Sequence, residues 1–185
     1  MRGVHVIGAL AVAMSLAACS ANPPLAGGSG PLHKWRLTQH EDAVFGPSLI
    51  ASIPMGYSAS LLTGELRTGM LDLMCFKQQP IVRIRFNYKI GSNASAAVAY
   101  RFDDKPGVEA KARFLRDHAT IVIDDPSEVR RFLAGLATAG KMVMRVDSLV
   151  AGATNIELDV QGGAPASEQA LAGCPLPPVV ADSRG

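Results

Sequence analysis

Apolar and polar residues alternate along much of the chain, which predicts a domain built mainly from β-strands. The clearest case is residues 81–90, where one face is apolar and the other is polar. The apolar set is Val82, Ile84, Phe86, Tyr88 and Ile90; the polar set is Arg83, Arg85, Asn87 and Lys89. A period of two indicates a strand with one face on a core and the other in water.

Further segments show the same period or a high content of β-branched residues, which favour strands. The predicted strands are 35–38, 48–53, 70–76, 96–102, 108–117, 119–123, 142–150 and 155–160. Residues 108–117 also fit a helix, through the spacing of Val108, Ala112 and Leu115, but a strand is preferred. Pro54 is expected to end the strand at 48–53, and residues 56–69, rich in Gly, Ser and Thr, are expected to form a loop. Because only a short turn separates 81–90 from 96–102, these two strands are predicted to form a hairpin.

Two helices are predicted late in the chain. Asp125 can cap the first, Pro126 suits its first position, and Glu128 follows three residues after the cap. An apolar stripe then continues to Ala137, and Gly140 is expected to stop the helix. Residues 166–172 are predicted to form a second, short helix.

Many strands joined by short connections imply antiparallel pairing, since parallel pairs need long crossovers. The fold class predicted is therefore α+β, mainly antiparallel β, as a β-sandwich-like domain with one to two helices. With 185 residues, the chain suits one such domain. Its 18 basic and 16 acidic residues are nearly balanced, which argues against nucleic-acid binding.

The N-terminus resembles that of bacterial lipoproteins. A short apolar segment ends in Leu16-Ala17-Ala18-Cys19, the form of a lipobox. The resemblance implies a signal peptide over 1–18 and lipidation of Cys19; an ordinary secretory signal that leaves Cys19 as a free thiol is the alternative. Ser20 follows the cysteine, which by the sorting rule of enteric lipoproteins implies the outer membrane, with the protein facing the periplasm.

Domain boundaries follow from composition. Residues 19–33 are rich in Pro, Gly and Ser and are expected to be a flexible tether, 34–175 the single folded domain, and 176–185 a loose tail. A lipoprotein folds in an oxidising compartment, so a disulfide between the remaining cysteines, Cys75 and Cys174, is expected. A metal or redox pair is the alternative, against which the lack of CxxC spacing argues.

The segment from about Leu71 to Cys174 resembles the VasI-like periplasmic family associated with type VI secretion. The resemblance lies in the order of several short motifs: Leu73-Met74-Cys75, Ala99-Tyr100-Arg101-Phe102-Asp103, Phe132-Leu133-Ala134-Gly135-Leu136, Met142-Val143-Met144-Arg145-Val146, Ile156-Glu157-Leu158-Asp159-Val160 and the closing Cys174. It implies a small β-rich periplasmic domain without a defined enzymatic site.

The feature most typical of a binding surface is a set of cations on the polar face of the predicted hairpin: Arg83, Arg85, Lys89 and Arg101. They can meet an acidic partner, a cell-wall polymer or lipid headgroups, or simply form a solvated face. Arg101 can also pair with Asp103 or Asp72.

Catalytic motifs are not evident. His33, His40 and His118 lack metal-ligand spacing, and there is no nucleophile elbow, P-loop or dinucleotide fingerprint. Asp103, Asp104 and Asp124 are candidates for a cell-wall or lipid enzyme, but a turn and a helix start account for them.

We therefore expect a non-catalytic envelope lipoprotein, an accessory or scaffold component of a secretion or envelope complex, without cofactor or metal. Its expected partners are the membrane, through the N-terminal lipid, and an envelope protein. An enzyme or a ligand-binding protein acting on cell-wall or lipid components is the alternative.

Overall fold

The computed structural model describes residues 34–44, 46–91 and 95–175. The predicted signal peptide, the tether with Cys19, and the tail all lie outside these ranges. The elements in chain order are β1 (Arg36–Asp42), β2 (Gly46–Ala59), β3 (Leu62–Phe76), β4 (Gln79–Phe86), β5 (Ser95–Phe102), β6 (Val108–Phe114), β7 (Thr120–Ile123), α1 (Pro126–Leu136), β8 (Lys141–Ser148), β9 (Gly152–Asp159) and α2 (Gly163–Ala170).

The strands form one antiparallel sheet that closes on itself. Its order is β1-β2-β3-β4-β7-β6-β5-β8-β9, and β9 pairs in turn with β2. Eight strands thus make a barrel-like sheet, with β1 added at one side. One edge of β2 pairs with β1 along residues 46–52 and with β9 along residues 56–59. The predicted class, mainly antiparallel β with two helices, is confirmed.

Alternating residues of each strand point into the closed sheet. Along β8, for example, Met142, Met144 and Val146 are buried while Lys141, Arg145 and Asp147 are exposed. These inward side chains form one continuous core that includes residues of every strand from β2 to β9 and of both helices. Outward positions are polar on most strands, so the alternation seen in the sequence reflects the inside and outside of this sheet.

Helix α1 begins as its sequence predicts. Asp125 caps it by accepting hydrogen bonds from the backbone N–H groups of Ser127 (2.9 Å) and Glu128 (3.2 Å), and Pro126 is its first residue. Its apolar side packs into the core, where the Phe132 ring makes edge contacts with Tyr100 and Phe102 at centroid distances of 5.1 and 5.3 Å.

The end of α1 differs from the prediction. The helix stops at Leu136, four residues before Gly140. The backbone N–H of Gly140 instead donates to the Asp103 carboxylate at 3.1 Å. The second helix also runs earlier than predicted, over Gly163–Ala170 instead of 166–172.

The predicted loop at 56–69 is wrong. Strands β2 and β3 continue through it and meet in a hairpin whose turn is Ser60-Leu61. Pro54 does not end β2; it lies between Ser52, the last residue paired with β1, and Gly56, the first paired with β9. Because that edge of β2 has no ladder at Pro54, a residue without an N–H is tolerated there.

The predicted hairpin between 81–90 and 96–102 is also wrong. β4 pairs with β3 and β7, whereas β5 pairs with β6 and β8. β4 ends at Phe86, because the chain beyond it turns toward the β6–β7 connection: the N–H groups of Phe86 and Ile90 donate to the carbonyls of Ala119 (2.8 Å) and His118 (2.9 Å). Tyr88, predicted to face the core, is 44% exposed.

Candidate functional site

An open groove lies at the end of the closed sheet where the β3–β4 hairpin turns. Its volume is about 860 Å³, which is within the range of about 300–1,000 Å³ common for ligand sites. One wall is formed by Gln39 and His40 of β1 and by residues 46–49 of β2, and the other is the tip of the β3–β4 hairpin, Phe76–Gln79. The last turn of α2 and the residues after it close one end.

The β3–β4 hairpin is turned by two residues with left-handed backbone. Lys77 has a φ of 50° and Gln78 a φ of 61°, the combination that a two-residue turn with the twist of the strands requires. Glycine and asparagine favour these angles, and here two long polar side chains adopt them instead. The turn projects Phe76, which is 47% exposed, and Lys77, whose ammonium lies 5.4 Å from the centre of the Phe76 ring.

The floor of the groove is apolar although it belongs to the outer face of the sheet. Ile50, Met74, Ile81 and Val122 form a cluster separate from the main core, with Leu115 packed against it. The register explains the cluster, because Ile50 pairs with Met74 and Met74 with Ile81. Met74, Ile81, Leu115 and Val122 line the groove, so its base is apolar although little of each side chain is exposed.

Beside the apolar floor lies a buried carboxylate held by two arginines. Asp72 is fully buried, and its oxygens accept hydrogen bonds from Nε of Arg83 at 2.9 Å and from Nε of Arg85 at 2.6 Å. The second nitrogen contact of Arg85 is 3.1 Å long, and the Ser52 hydroxyl donates at 2.7 Å. All four side chains occupy neighbouring outward positions of β2, β3 and β4.

Burial opposes the ionisation of Asp72, but its partners outweigh that effect. The hydrogen bonds from Arg85 and Ser52 and the positive charges of Arg83 and Arg85 hold the pKa of the Asp72 carboxyl below its usual range. The same hydrogen bond with Asp72, opposed in part by burial, raises the pKa of Arg85. The site is therefore an ionised cluster with two positive charges against one negative charge.

The charged side of the groove continues across β7 to β6. Val122 is the register partner of both Arg83 and Arg113, so the two arginines flank this floor residue. Arg113 donates to one oxygen of Asp124 through Nε (2.9 Å) and Nη2 (2.6 Å), and about half of its side chain is exposed. Lys77, Arg83 and Arg113 face one acid, Asp124, among the charged groups that line the groove.

The expected disulfide is present and lies at the groove. Cys75 and Cys174 are bridged, with Cα atoms 5.7 Å apart. The bridge joins the end of β3 to the segment after α2, and so fixes the hairpin wall of the groove to the end of that helix. The pairing predicted from compartment and count is confirmed.

Only part of the predicted basic face is present in the structure. Arg83 and Arg85 do lie together, through Asp72, and Lys89 is exposed in the segment after β4. Arg101, however, is on β5, which is not a neighbour of β4; its Nη1 donates to the backbone carbonyl of Asp103 at 2.5 Å. The proposed pairing of Arg101 with Asp72 is therefore wrong, because the hairpin that would have brought them together does not exist.

The three aspartates considered for catalysis have structural contacts and do not form one site. Asp103, with a φ of 49°, accepts hydrogen bonds from the backbone N–H groups of Gly140 and Lys141 (2.8 Å to the latter), which ties a turn to the start of β8. Asp104 is exposed in the same turn, and Asp124 pairs with Arg113. Among the described residues, no group of three or more His, Cys, Asp or Glu side chains is placed to hold a metal ion.

The groove and the pairing of Asp72 with Arg83 and Arg85 were missed by sequence reasoning, which considered Asp72 only as a partner of Arg101. Asp72 sits in an apolar run, Leu71-Asp72-Leu73, and a lone acid at an outward strand position is expected to be solvated. Its partners on β4 alternate with apolar residues, so opposite charges on the polar faces of two successive strands were the available signal. The groove depends on the order of the strands in the sheet, which no local sequence pattern encodes.

No helix in the described ranges combines the length and apolar character needed to cross a bilayer. No family model, curated protein or solved structure matches this chain.

Proposed function

We propose that the protein is a non-catalytic envelope lipoprotein, anchored through Cys19, that serves as an accessory or scaffold component of a secretion or envelope complex. The observation that carries the proposal is the groove: an apolar floor on an outer sheet face, bordered by cations and by the exposed Phe76. Such a surface is suited to hold another molecule.

The disulfide supports the compartment. Structural disulfides persist in oxidising environments such as the periplasm and are rare where thiols are kept reduced. The bridge between Cys75 and Cys174 is thus in keeping with export directed by residues 1–18. The lipobox resemblance and Ser20 favour a lipid anchor at the outer membrane, and the VasI-like resemblance favours a role beside a type VI secretion system.

Cell fractionation tests the anchor. The wild-type chain should sediment with membranes and need detergent for release, whereas Cys19→Ala should remain in the soluble fraction. Ser20→Ala, which changes the neighbouring residue and leaves the lipobox cysteine, is the matched control and should behave as wild type. A Cys19→Ala protein that still sediments with membranes would refute the anchor.

Chemical cross-linking in cells tests the scaffold role. The tagged wild-type protein should co-purify a defined set of envelope proteins, and tagging one of those partners should recover this protein in return. Capture should fall in Cys19→Ala, because a protein freed from the membrane loses the high local concentration that a tether provides. A wild-type protein that captures only cell-wall fragments or lipid would contradict the role.

A further inference from the structure

We propose that the groove binds an extended, acidic peptide segment of a partner protein, with aliphatic side chains on the apolar floor and carboxylates toward Lys77, Arg83 and Arg113. This inference rests on the proposed scaffold function and specifies the chemistry of its partner. Three features of the groove carry it: the floor, the charge and the open strand ends.

The floor selects aliphatic groups. Met74 is the register partner of Ile81, and Val122, opposite Arg83 on the next strand, packs in the same cluster. Each of the three is almost wholly covered and lines the groove. An extended peptide presents alternate side chains to one face, at a spacing of about 6.5–7 Å. Val, Ile or Leu at every second position would therefore contact successive parts of this floor.

The charge selects carboxylates. Lys77, Arg83 and Arg113 line the groove with Asp124. When Arg85 and Asp72 of the adjoining cluster are included, four cations face two acids, which leaves two positive charges unbalanced. Arg83 donates to Asp72 through Nε alone, and within the described ranges its two terminal nitrogens form no hydrogen bond. A guanidinium offers a planar pair of donors that matches a carboxylate, so an acidic side chain between Arg83 and Arg113 meets donors from both.

The strand ends favour a polypeptide over a free anion or a lipid. β2 begins at Gly46 but pairs with β3 only from Ile50 onward, so its residues 46–49 have no partner on that side. β4 begins at Gln79 but pairs with β7 only from Val82 onward. Residues 46–49, Gln79 and Ile81 line the groove. Pro47 and Pro80 have no N–H to donate, but the other backbone groups of these two ends can bond an extended chain, as in recognition by strand addition.

Fluorescence anisotropy tests the inference on the full chain carrying Cys19→Ala. The probe is a labelled decapeptide that alternates Glu and Val; matched peptides alternate Gln with Val and Lys with Val. The Glu–Val peptide should bind most tightly, the Gln–Val peptide about tenfold more weakly, and binding of the first should weaken as salt is raised.

Charge reversal locates the site. Arg113→Glu should weaken binding of the Glu–Val peptide by about tenfold or more, and Lys77→Glu, at an exposed turn, should act in the same direction. Arg145→Glu is the matched control, because Arg145 is equally exposed and equally paired with one aspartate, Asp147, but lies on β8 away from the groove. Its affinity for the peptide should be that of the parent chain.

Two results would overturn the inference. Equal affinity for all three peptides, or equal loss in Arg113→Glu and Arg145→Glu, would show that the groove does not select acidic peptide. Phosphatidylglycerol vesicles that displace the peptide, and whose binding is itself reduced by Arg113→Glu, would assign the groove to lipid. If peptide binding fails while partners are still captured in cells, only this inference is lost; if capture and anchoring fail, the proposed function is lost.

Discussion

Removing the Cys75–Cys174 disulfide should lower the free energy of unfolding by about 4–5 kcal/mol. The two cysteines are 99 positions apart, and the chain-entropy treatment assigns a loop of about 100 residues roughly 4.7 kcal/mol at 25 °C. Their Cα atoms are 5.7 Å apart, inside the range of about 4.4–6.8 Å that bridged pairs adopt. The native backbone thus needs no distortion to accommodate the bridge.

The assay is urea unfolding followed by circular dichroism, in a Cys19→Ala background so that no third thiol can exchange. Cys75→Ser, Cys174→Ser and the double variant should lose the same free energy, because each removes the one bridge and the effects are not additive. The slope of the unfolding free energy against urea should rise, since the unbridged unfolded chain exposes more surface.

The reasoning would be refuted by either of two results. One is a double variant whose unfolding free energy lies within about 1 kcal/mol of the bridged protein, well below the loop-closure value. The other is a double variant that loses twice as much as each single variant, which would mean that the cysteines stabilise the domain separately and not through a common bond. Reduction of the parent protein should reproduce the double variant and serves as the control for the serine substitutions.

Three further predictions concern the ion cluster and helix α1. Because the pKa of the Asp72 carboxyl is lowered, the stabilisation that this carboxylate provides is complete above its unfolded-state pKa of about 3.9 and is lost as pH falls through its folded-state pKa. Asp72→Asn should cost about 1.5–3 kcal/mol at neutral pH, since charged hydrogen bonds to partly exposed arginines are lost. The variant should also flatten the loss of stability below about pH 4, which urea unfolding across that pH range will show. Asp125→Ala should cost about 1 kcal/mol by removing the helix cap, whereas the adjacent Asp124→Ala, which breaks an exposed ion pair, should cost less than about 1 kcal/mol. Gly135→Ala should destabilise by about 1–3 kcal/mol, despite the gain of about 1 kcal/mol in helix propensity, because the new Cβ would lie 2.4 Å from the Phe102 ring; a thermal melt equal to or above that of the parent protein would contradict this.

The features predicted correctly from the sequence depend on residues close together in the chain or on the number of cysteines. The start of α1 follows from Asp125, Pro126 and Glu128, which act within one turn. The disulfide was predicted from the expected oxidising compartment and from the two cysteines, Cys75 and Cys174, that remain once Cys19 is set aside for lipidation. The inward faces of β4 and β8 follow from period-two alternation, which holds wherever one face of a strand is buried.

The parts that failed depend on which strands become neighbours. Residues 56–69 have the composition of a loop, but at least one of their glycines is explained by close packing within the sheet. A Cβ at Gly69 would lie 2.4 Å from the Arg85 carbonyl oxygen. The hairpin predicted from β4 to β5 is absent because β7, more than 30 residues later in sequence, pairs with β4 instead. Since Arg101 was placed with Arg83 only through that hairpin, the error in pairing became an error in the site.

Position-specific photo-cross-linking in cells tests the central claim, that the groove is the surface by which this protein holds its partner. A photoreactive phenylalanine analogue placed at Phe76 samples the groove wall, and the same analogue at Tyr88 is the control, since the two rings are similarly exposed (47% and 44%) and only Phe76 lines the groove. The account predicts a cross-link from Phe76 to an acidic, aliphatic segment of an envelope protein that weakens in Arg113→Glu. Cross-links of equal yield and identity from both positions, or none from Phe76, would contradict it.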